Sequence, residues 1–332
     1  MSKKYFIIPL FIPHEGCPHD CVFCNQDRIS GATERVTTDK VIETVEEYLK
    51  TINRDNATIE ISFFGGTFTA IKEERQRELL TIAKDYKEKG LIDKIRMSTR
   101  PDYIDDYILT YLKEYKVDII ELGVQSLEDK VLHASGRGHT AEDVERASKL
   151  IKEYGITLGH QIMPGLPCDN FDRDIETVRK SINMKPDICR IYPALVIKDT
   201  PMEIMYKNGI YKPYTLSEAV EISKVMYKMY TGAGVQVIRI GLQPTETIAE
   251  GKDVIDGPFH PAFRELVEGS LLADRIKAEL KGKKEGTIKI NSKDISKLYA
   301  NKKAYFNEML KEGYNLKVEC NDTVQRGDLI IL

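Results

Sequence analysis

Three cysteines, Cys17, Cys21 and Cys24, stand close together in the stretch GCPHDCVFCNQ. Thiolates at C-x-x-x-C-x-x-C spacing supply three ligands to one metal centre. A 4Fe–4S cubane held by three thiolates keeps one iron open, and an open iron is a place for chemistry. A zinc site built from the same thiolates with His14 or His19 also satisfies the ligand chemistry. Structural zinc usually presents paired C-x-x-C knuckles, however, and this chain has no second pair. Six cysteines in 332 residues are too sparse for a disulfide framework. The spacing favours the cluster.

Other residues with chemical capacity follow at intervals. FFGGTF holds Gly65, Gly66 and Thr67 just after an apolar run. Two glycines at such a strand end let backbone approach a ligand without Cβ interference. Gln125, directly after VDIIELGV, offers both a donor and an acceptor. Arg137, in GRGH, carries a planar fork suited to a carboxylate. His160 and Gln161 are neighbours in one strand pattern and must face opposite sides. Gln161 is expected to point inward. Tyr192 ends a further strand pattern and is a candidate for placing a phenol in the cavity. Asp102 and His139 read as structural residues beside a turn and a helix cap. Tyr206, Tyr211 and Tyr214 read as packing groups. Cys168 reads as a half-buried inert thiol, and Cys189 and Cys320 as core residues.

The elements that must position these residues alternate regularly. Strand-length apolar runs lie at 5–9, 58–64, 94–98, 117–124, 156–163 and 187–193, with a further candidate at 235–240. Amphipathic helical patterns fall between them, at 37–52, 72–89, 102–115, 140–154, 170–184 and 215–230. Several open on N-cap signals, such as Thr38-Asp39 and Thr140 followed by Glu142-Asp143. The strands look near-continuously apolar, as parallel strands buried on both faces do. Repeated βα units of this length describe an α/β barrel or an open doubly wound sheet. In either, functional residues lie at the C-terminal ends of strands. No repeat beyond the βα unit and no low-complexity tract is present.

With Phe23 before the last cysteine, the loop matches the C-x-x-x-C-x-aromatic-C signature and resembles the radical S-adenosylmethionine (SAM) superfamily. Within it, residues 121–167 and 190–220 resemble the radical SAM half of the elongator catalytic subunit family. Similarity to the oxygen-independent coproporphyrinogen III oxidase group is looser, and both groups carry segments like MSTRPDYID. The resemblance implies a partial (β/α)6 TIM-like barrel over 1–240. It also implies a 4Fe–4S cluster on Cys17, Cys21 and Cys24, with SAM on the open iron. Reductive cleavage of SAM would then yield a 5′-deoxyadenosyl radical that takes hydrogen from substrate. Gly65, Gly66 and Thr67 fall where the family's Gly-Gly-Glu-like motif meets the SAM amino group, with Thr67 in place of the acid. Gln125 and Arg137 fall on further SAM contacts, Arg137 on the carboxylate. Gln161 falls where related oxidases hold the ribose with an Asp, and the turn at Gly165, Leu166 and Pro167 closes the adenine pocket.

The remaining features bound the surroundings and the substrate. The net charge is −3, so no global basic field demands nucleic acid. No apolar run approaches the roughly 20 residues of a membrane span. The apolar start reads as a first strand rather than a secretory segment. A cytoplasmic protein of anaerobic or oxygen-poor conditions is expected, reduced by a flavodoxin or ferredoxin. After residue 240 a Gly- and Pro-rich linker leads to a helix and a small α/β appendage, making 241–332 a second region. Eleven lysines against five acids between Lys277 and Lys317, with Tyr299, Tyr305 and Phe306 among them, make a possible RNA-tracking face or a solvated one. The elongator resemblance points to a tRNA uridine. Its acetyltransferase domain and basic N-terminal region have no counterpart in the sequence, so acetyl-CoA-dependent chemistry by this chain alone is not expected. A small-metabolite or porphyrin-like substrate and a non-catalytic cluster or zinc scaffold are the alternatives.

Overall fold

The computed structural model describes residues 4–12, 15, 17, 19–25, 28, 36–245, 247–249 and 251–332. His14 and Pro18 lie outside the described residues. Seven parallel strands form one curled sheet in the order β1-β2-β3-β4-β5-β6-β8. They are β1 Lys4–Ile12, β2 Ala57–Gly65, β3 Lys94–Thr99, β4 Ile119–Gln125, β5 Thr157–Ile162, β6 Ile188–Ile191 and β8 Gln236–Ile240. The candidate strand at 235–240 therefore joins the six clear ones as a seventh. Two-residue β7, Val196–Ile197, leaves the main sheet and pairs antiparallel with β9, Val254–Asp256. That pairing gives regular structure to part of the Gly- and Pro-rich stretch expected to be a linker.

Helices cover the convex face because each strand turns its apolar alternate positions toward them. Ile59, Ile61 and Phe63 on β2, Ile95 and Met97 on β3, and Ile120, Leu122 and Val124 on β4 all enter one core. The intervening positions are polar, which the near-continuous apolar reading missed. Glu60, Ser62, Arg96, Glu121 and Arg190 are all buried on the concave side. The helices start where capping chemistry says they should. Thr140 accepts from the Asp143 amide while the Asp143 carboxylate accepts from the Thr140 amide, a closed capping box. Thr37, one residue earlier than expected, caps the helix Thr38–Thr51.

The helix Phe263–Glu279 bridges two cores. Phe263, Leu266 and Val267 pack into the main core, whereas Ala273 and Ile276 pack into a second one. That second core lies under a three-stranded sheet of order β11-β10-β12, with β10 Glu285–Ile290, β11 Asn315–Cys320 and β12 Leu329–Ile331. Cys320 is exposed rather than buried: it follows half-buried Leu316 and Val318 in phase, but at the end of edge strand β11 that alternation stops. Cys189 is buried as expected. No helix among the described residues is long and apolar enough to cross a membrane.

Candidate active site at the strand ends

The cysteine loop sits over the C-terminal ends of the strands, tied by backbone on two sides. The Val22 amide donates to the Ser135 carbonyl at 3.1 Å, and the Met202 amide donates to the Val22 carbonyl at 2.8 Å. Arg28 latches the end of the loop through Asp253 at 2.9 Å and through Asp199. Cys21 is buried, Cys24 half-buried and Cys17 exposed. Phe23, buried beside Cys21, packs with Val131, Leu166 and Met202, which explains the aromatic residue between the last two thiols.

The two glycines after β2 serve this loop directly. Gly65 has φ +110°, and a Cβ there would lie 2.6 Å from the Ile12 carbonyl oxygen. A Cβ on Gly66 would lie 2.2 Å from the Glu15 carbonyl oxygen. The close approach they permit is thus to the chain's own backbone entering the cysteine loop. Thr67 is buried, with its hydroxyl 3.4 Å from the Cys17 sulfur.

Arg137 reaches the loop from the other side. Its Nη1 donates to the Cys21 sulfur at 3.3 Å and its Nη2 to the Gly123 carbonyl at 2.6 Å. The buried Nε has no hydrogen-bond partner. The glycines around it let the turn touch the loop: a Cβ on Gly138, at φ +74°, would overlap the His19 ring at 2.5 Å. Arg100 holds Asp102 bidentately at 2.9 Å for both bonds and donates to the Arg137 carbonyl. Asp102 therefore orients Arg100, which in turn props Arg137. His139 faces the Val124 carbonyl at 3.3 Å, and burial beside Arg137 and Arg100 pushes its pKa down to about 3. It stays neutral and structural.

Gln125 and Gln161 meet on the concave face, the Gln161 amide donating to the Gln125 side-chain oxygen at 3.3 Å. Gln125 sits at φ +66°, a left-handed conformation that costs a residue with a Cβ roughly 1–2 kcal/mol. Sequence reasoning missed this strain, and no sequence signal marks it. His160 faces the helices instead, between the Ser148 and Ser181 hydroxyls at 2.9 and 2.8 Å. The alternation expected for this pair holds. Tyr192 follows β6, and its oxygen accepts from Arg190 at 2.9 Å. Burial raises its pKa.

Beyond β5 the turn at Gly165 is clamped by two tyrosines. Tyr211 donates to the Gly165 carbonyl at 2.6 Å, and the Tyr214 ring lies 2.6 Å from where a Gly165 Cβ would stand. Tyr214 also donates to Asp174 at 2.8 Å. Asp174 is buried beside the half-buried Asp169, and burial pushes the Asp169 pKa up to about 6. Burial and the Asp169 charge push Asp174 well above the usual carboxylate range. Sequence reading missed this pair, whose members look like ordinary helix-start acids. Cys168 is exposed, not half-buried, because a backbone φ of +66° turns it out of the fold.

A parallel sheet with a three-cysteine loop over its strand ends, a buried guanidinium against one sulfur and two glutamines meeting on the concave face defines a class. The chain belongs to the Radical SAM superfamily, whose family model matches residues 11–181; the Radical_SAM C-terminal domain matches 186–272. It is similar to the tRNA uridine(34) acetyltransferase of Methanocaldococcus jannaschii, 28% identical over 255 residues, 65% of this chain and 47% of that protein. An uncharacterized protein of the same organism is 31% identical over 236 residues, 68% of this chain and 71% of that one. Among solved structures, the Elp3 of Methanocaldococcus infernus shares the fold with a TM-score of 0.64 at 24% identity, covering 85% of this chain and 64% of that one. The chain spans just under half the length of the tRNA uridine acetyltransferases it matches.

The protein is an enzyme of a family that uses a 4Fe–4S cluster and SAM. The donor set fits that cluster. Among the described residues no three Cys, His, Asp or Glu side chains converge as they would on one ion. A cubane takes one thiolate at each of three irons, so its ligands stand apart rather than meeting at a point. The Arg137 Nε lacks a partner, and the missing Cβ at Gly123 lets Gln125 and Arg137 pack closely there, where a Cβ would meet them at 3.0 and 3.2 Å.

Proposed function

We propose that this chain uses SAM to generate a radical that abstracts hydrogen from a nucleotide unit of RNA, a tRNA uridine being the favoured target. The observation that carries the radical chemistry is the Arg137 fork, seated between the Cys21 sulfur and the Gly123 carbonyl. When bound, the cluster and SAM supply an electron, a broken C5′–S bond and a 5′-deoxyadenosyl radical. Cys17, Cys21 and Cys24 hold the cluster. Gly65, Gly66, Thr67, Gln125, Arg137 and Gln161 would form the SAM site, the two glycines by seating the cysteine loop and Arg137 by its unpartnered Nε. The strand-end hollow keeps water from the radical.

The nucleotide reading rests on the relatives named for tRNA uridine, which this chain matches over its radical SAM part. The C-terminal region adds a surface for phosphate. Lys281, Lys283, Lys302, Lys311 and Lys317 stay exposed there. Lys277 and Lys297 are tied to Glu312 and Glu268, so the face is smaller than its lysine count suggests. A flavodoxin- or ferredoxin-type donor provides the electron, in the cytoplasm. Residues 1–240 form the catalytic barrel, and 241–332 a linker and a small substrate-facing region.

The test is anaerobic incubation of the reconstituted enzyme with SAM, dithionite and unmodified tRNA. 5′-Deoxyadenosine formation should rise with tRNA, and mass spectrometry of its nucleosides should show a changed uridine. Formation indifferent to tRNA but stimulated by a small metabolite pool would overturn the RNA target.

A further inference from the structure

A row of polar side chains crosses the concave face below the strand ends. In register, Gln161 on β5 stands beside Arg190 on β6, and Arg190 stands beside Arg239 on β8. The second match is unusual. Cys189 pairs with Val237 but Arg190 with Arg239, so β8 carries one extra residue at that point. Val237 and Ile240 both enter the convex-face core. The irregularity between them is what brings Arg239 into phase with Arg190, a use of bulges that re-aims a side chain.

Among the described residues the charges along this row do not cancel. Arg96 lies between Glu60 at 2.8 Å and Glu121 at 3.1 Å. Arg190 takes the other Glu121 oxygen at 2.7 Å, donates to Tyr192 and stacks over Phe64 at 5.4 Å. Among the described residues Arg239 meets a neutral partner, the Gln243 side-chain oxygen at 2.8 Å. Among the described residues the row thus holds three guanidiniums and two carboxylates, both of the latter taken by Arg96 and Arg190. Like charges on adjacent strands repel, and a half-enclosed hollow screens them less than open water does. An oxyanion between the two forks removes that repulsion, with the bidentate geometry that arginine offers and lysine does not.

We propose that Arg190 and Arg239, with the Tyr192 phenol beside them, form an oxyanion subsite that holds the charged group of the substrate. The proposal rests on the reading of the concave face as the reaction chamber and sharpens its substrate class. Arg239 lies two strand spacings from Gln161, roughly 10 Å. A phosphate there leaves the length of one nucleotide between the subsite and the SAM-facing glutamines. The substrate is thus a phosphate-bearing nucleotide, and a neutral nucleoside lacks the anchor.

The test is calorimetric titration of the full chain with uridine 5′-monophosphate and with uridine. The wild type should bind the monophosphate at least about tenfold more tightly, the scale of a charged hydrogen bond. Arg239→Gln should erase that preference, and Arg239→Lys should keep part of it. Arg239 is the position to change because Arg190 neutralises a buried carboxylate and its loss endangers folding. Displacement of the monophosphate by a short uridine-containing RNA supports a phosphodiester source, and displacement by malonate alone supports a small acid; either keeps the anion subsite. Equal affinity for both probes, or a preference that survives Arg239→Gln, overturns it. Wild-type 5′-deoxyadenosine formation is read separately, so a failed subsite and a failed radical chemistry are told apart.

Discussion

The two ends of the one sheet are built to different rules. At the N-terminal ends of the strands a single device repeats. Asp93, Asp118 and Asp187 each accept the backbone N–H of the preceding strand, from Ile59, Ile95 and Leu158, at 2.8, 2.7 and 2.8 Å. Their own amides donate back to the carbonyls of those same three residues. Every exchange is local, satisfied and repeated. At the C-terminal ends nothing repeats. Gln125 is held in a left-handed conformation, a guanidinium nitrogen lacks a partner, and two carboxylates crowd each other. One end holds the sheet together, and the other carries strain and unmatched charge where chemistry is done.

Substitutions at the two ends should separate stability from activity. The largest effect is expected from Cys21→Ala, which removes a proposed cluster ligand and should abolish 5′-deoxyadenosine formation while thermal unfolding of the apoprotein barely moves. Retained SAM cleavage would break the comparison. Next, Asp118→Ala leaves the buried Ile95 amide without its acceptor and frees Lys87. It should cost about 1–3 kcal/mol in denaturant unfolding and leave SAM affinity unchanged. A loss of SAM affinity there would show that the ends are coupled.

The smallest effect concerns pH. Asp169 has a folded pKa raised to about 6, so its contribution to stability is present at low pH and is lost as pH rises through that value. Asp169→Asn should therefore raise the unfolding temperature above pH 7 and do little near pH 4. A difference constant with pH would remove the carboxylate pair as its cause.

Much of this architecture was legible from the chain. The strand and helix periods locate the barrel, and Cys17, Cys21, Cys24, Gly65 and Gly66 announce the loop and the turn beneath it. Alternation along one strand separates His160 from Gln161. The charged network on the concave face also left a trace that apolar counting passed over. Glu60, Arg96, Glu121 and Arg190 are single charges within apolar runs, on β2, β3, β4 and β6. Two misreadings have a different origin. Cys320 continues the Leu316 and Val318 alternation, but at the end of an edge strand over a small core it stays exposed. Cys168 and Gln125 depend on positive φ angles that non-glycine residues do not advertise. The Asp169–Asp174 pair looks like helix-start chemistry until burial converts it into something else.

The central claim is that three thiolates grip a cubane with one iron left for SAM. Electron paramagnetic resonance of the anaerobically reconstituted, dithionite-reduced protein tests it most directly, alongside metal analysis. The account predicts about four irons and four sulfides per chain and a reduced signal that changes when SAM is added. Zinc in place of iron, or an iron signal unmoved by SAM, would contradict it.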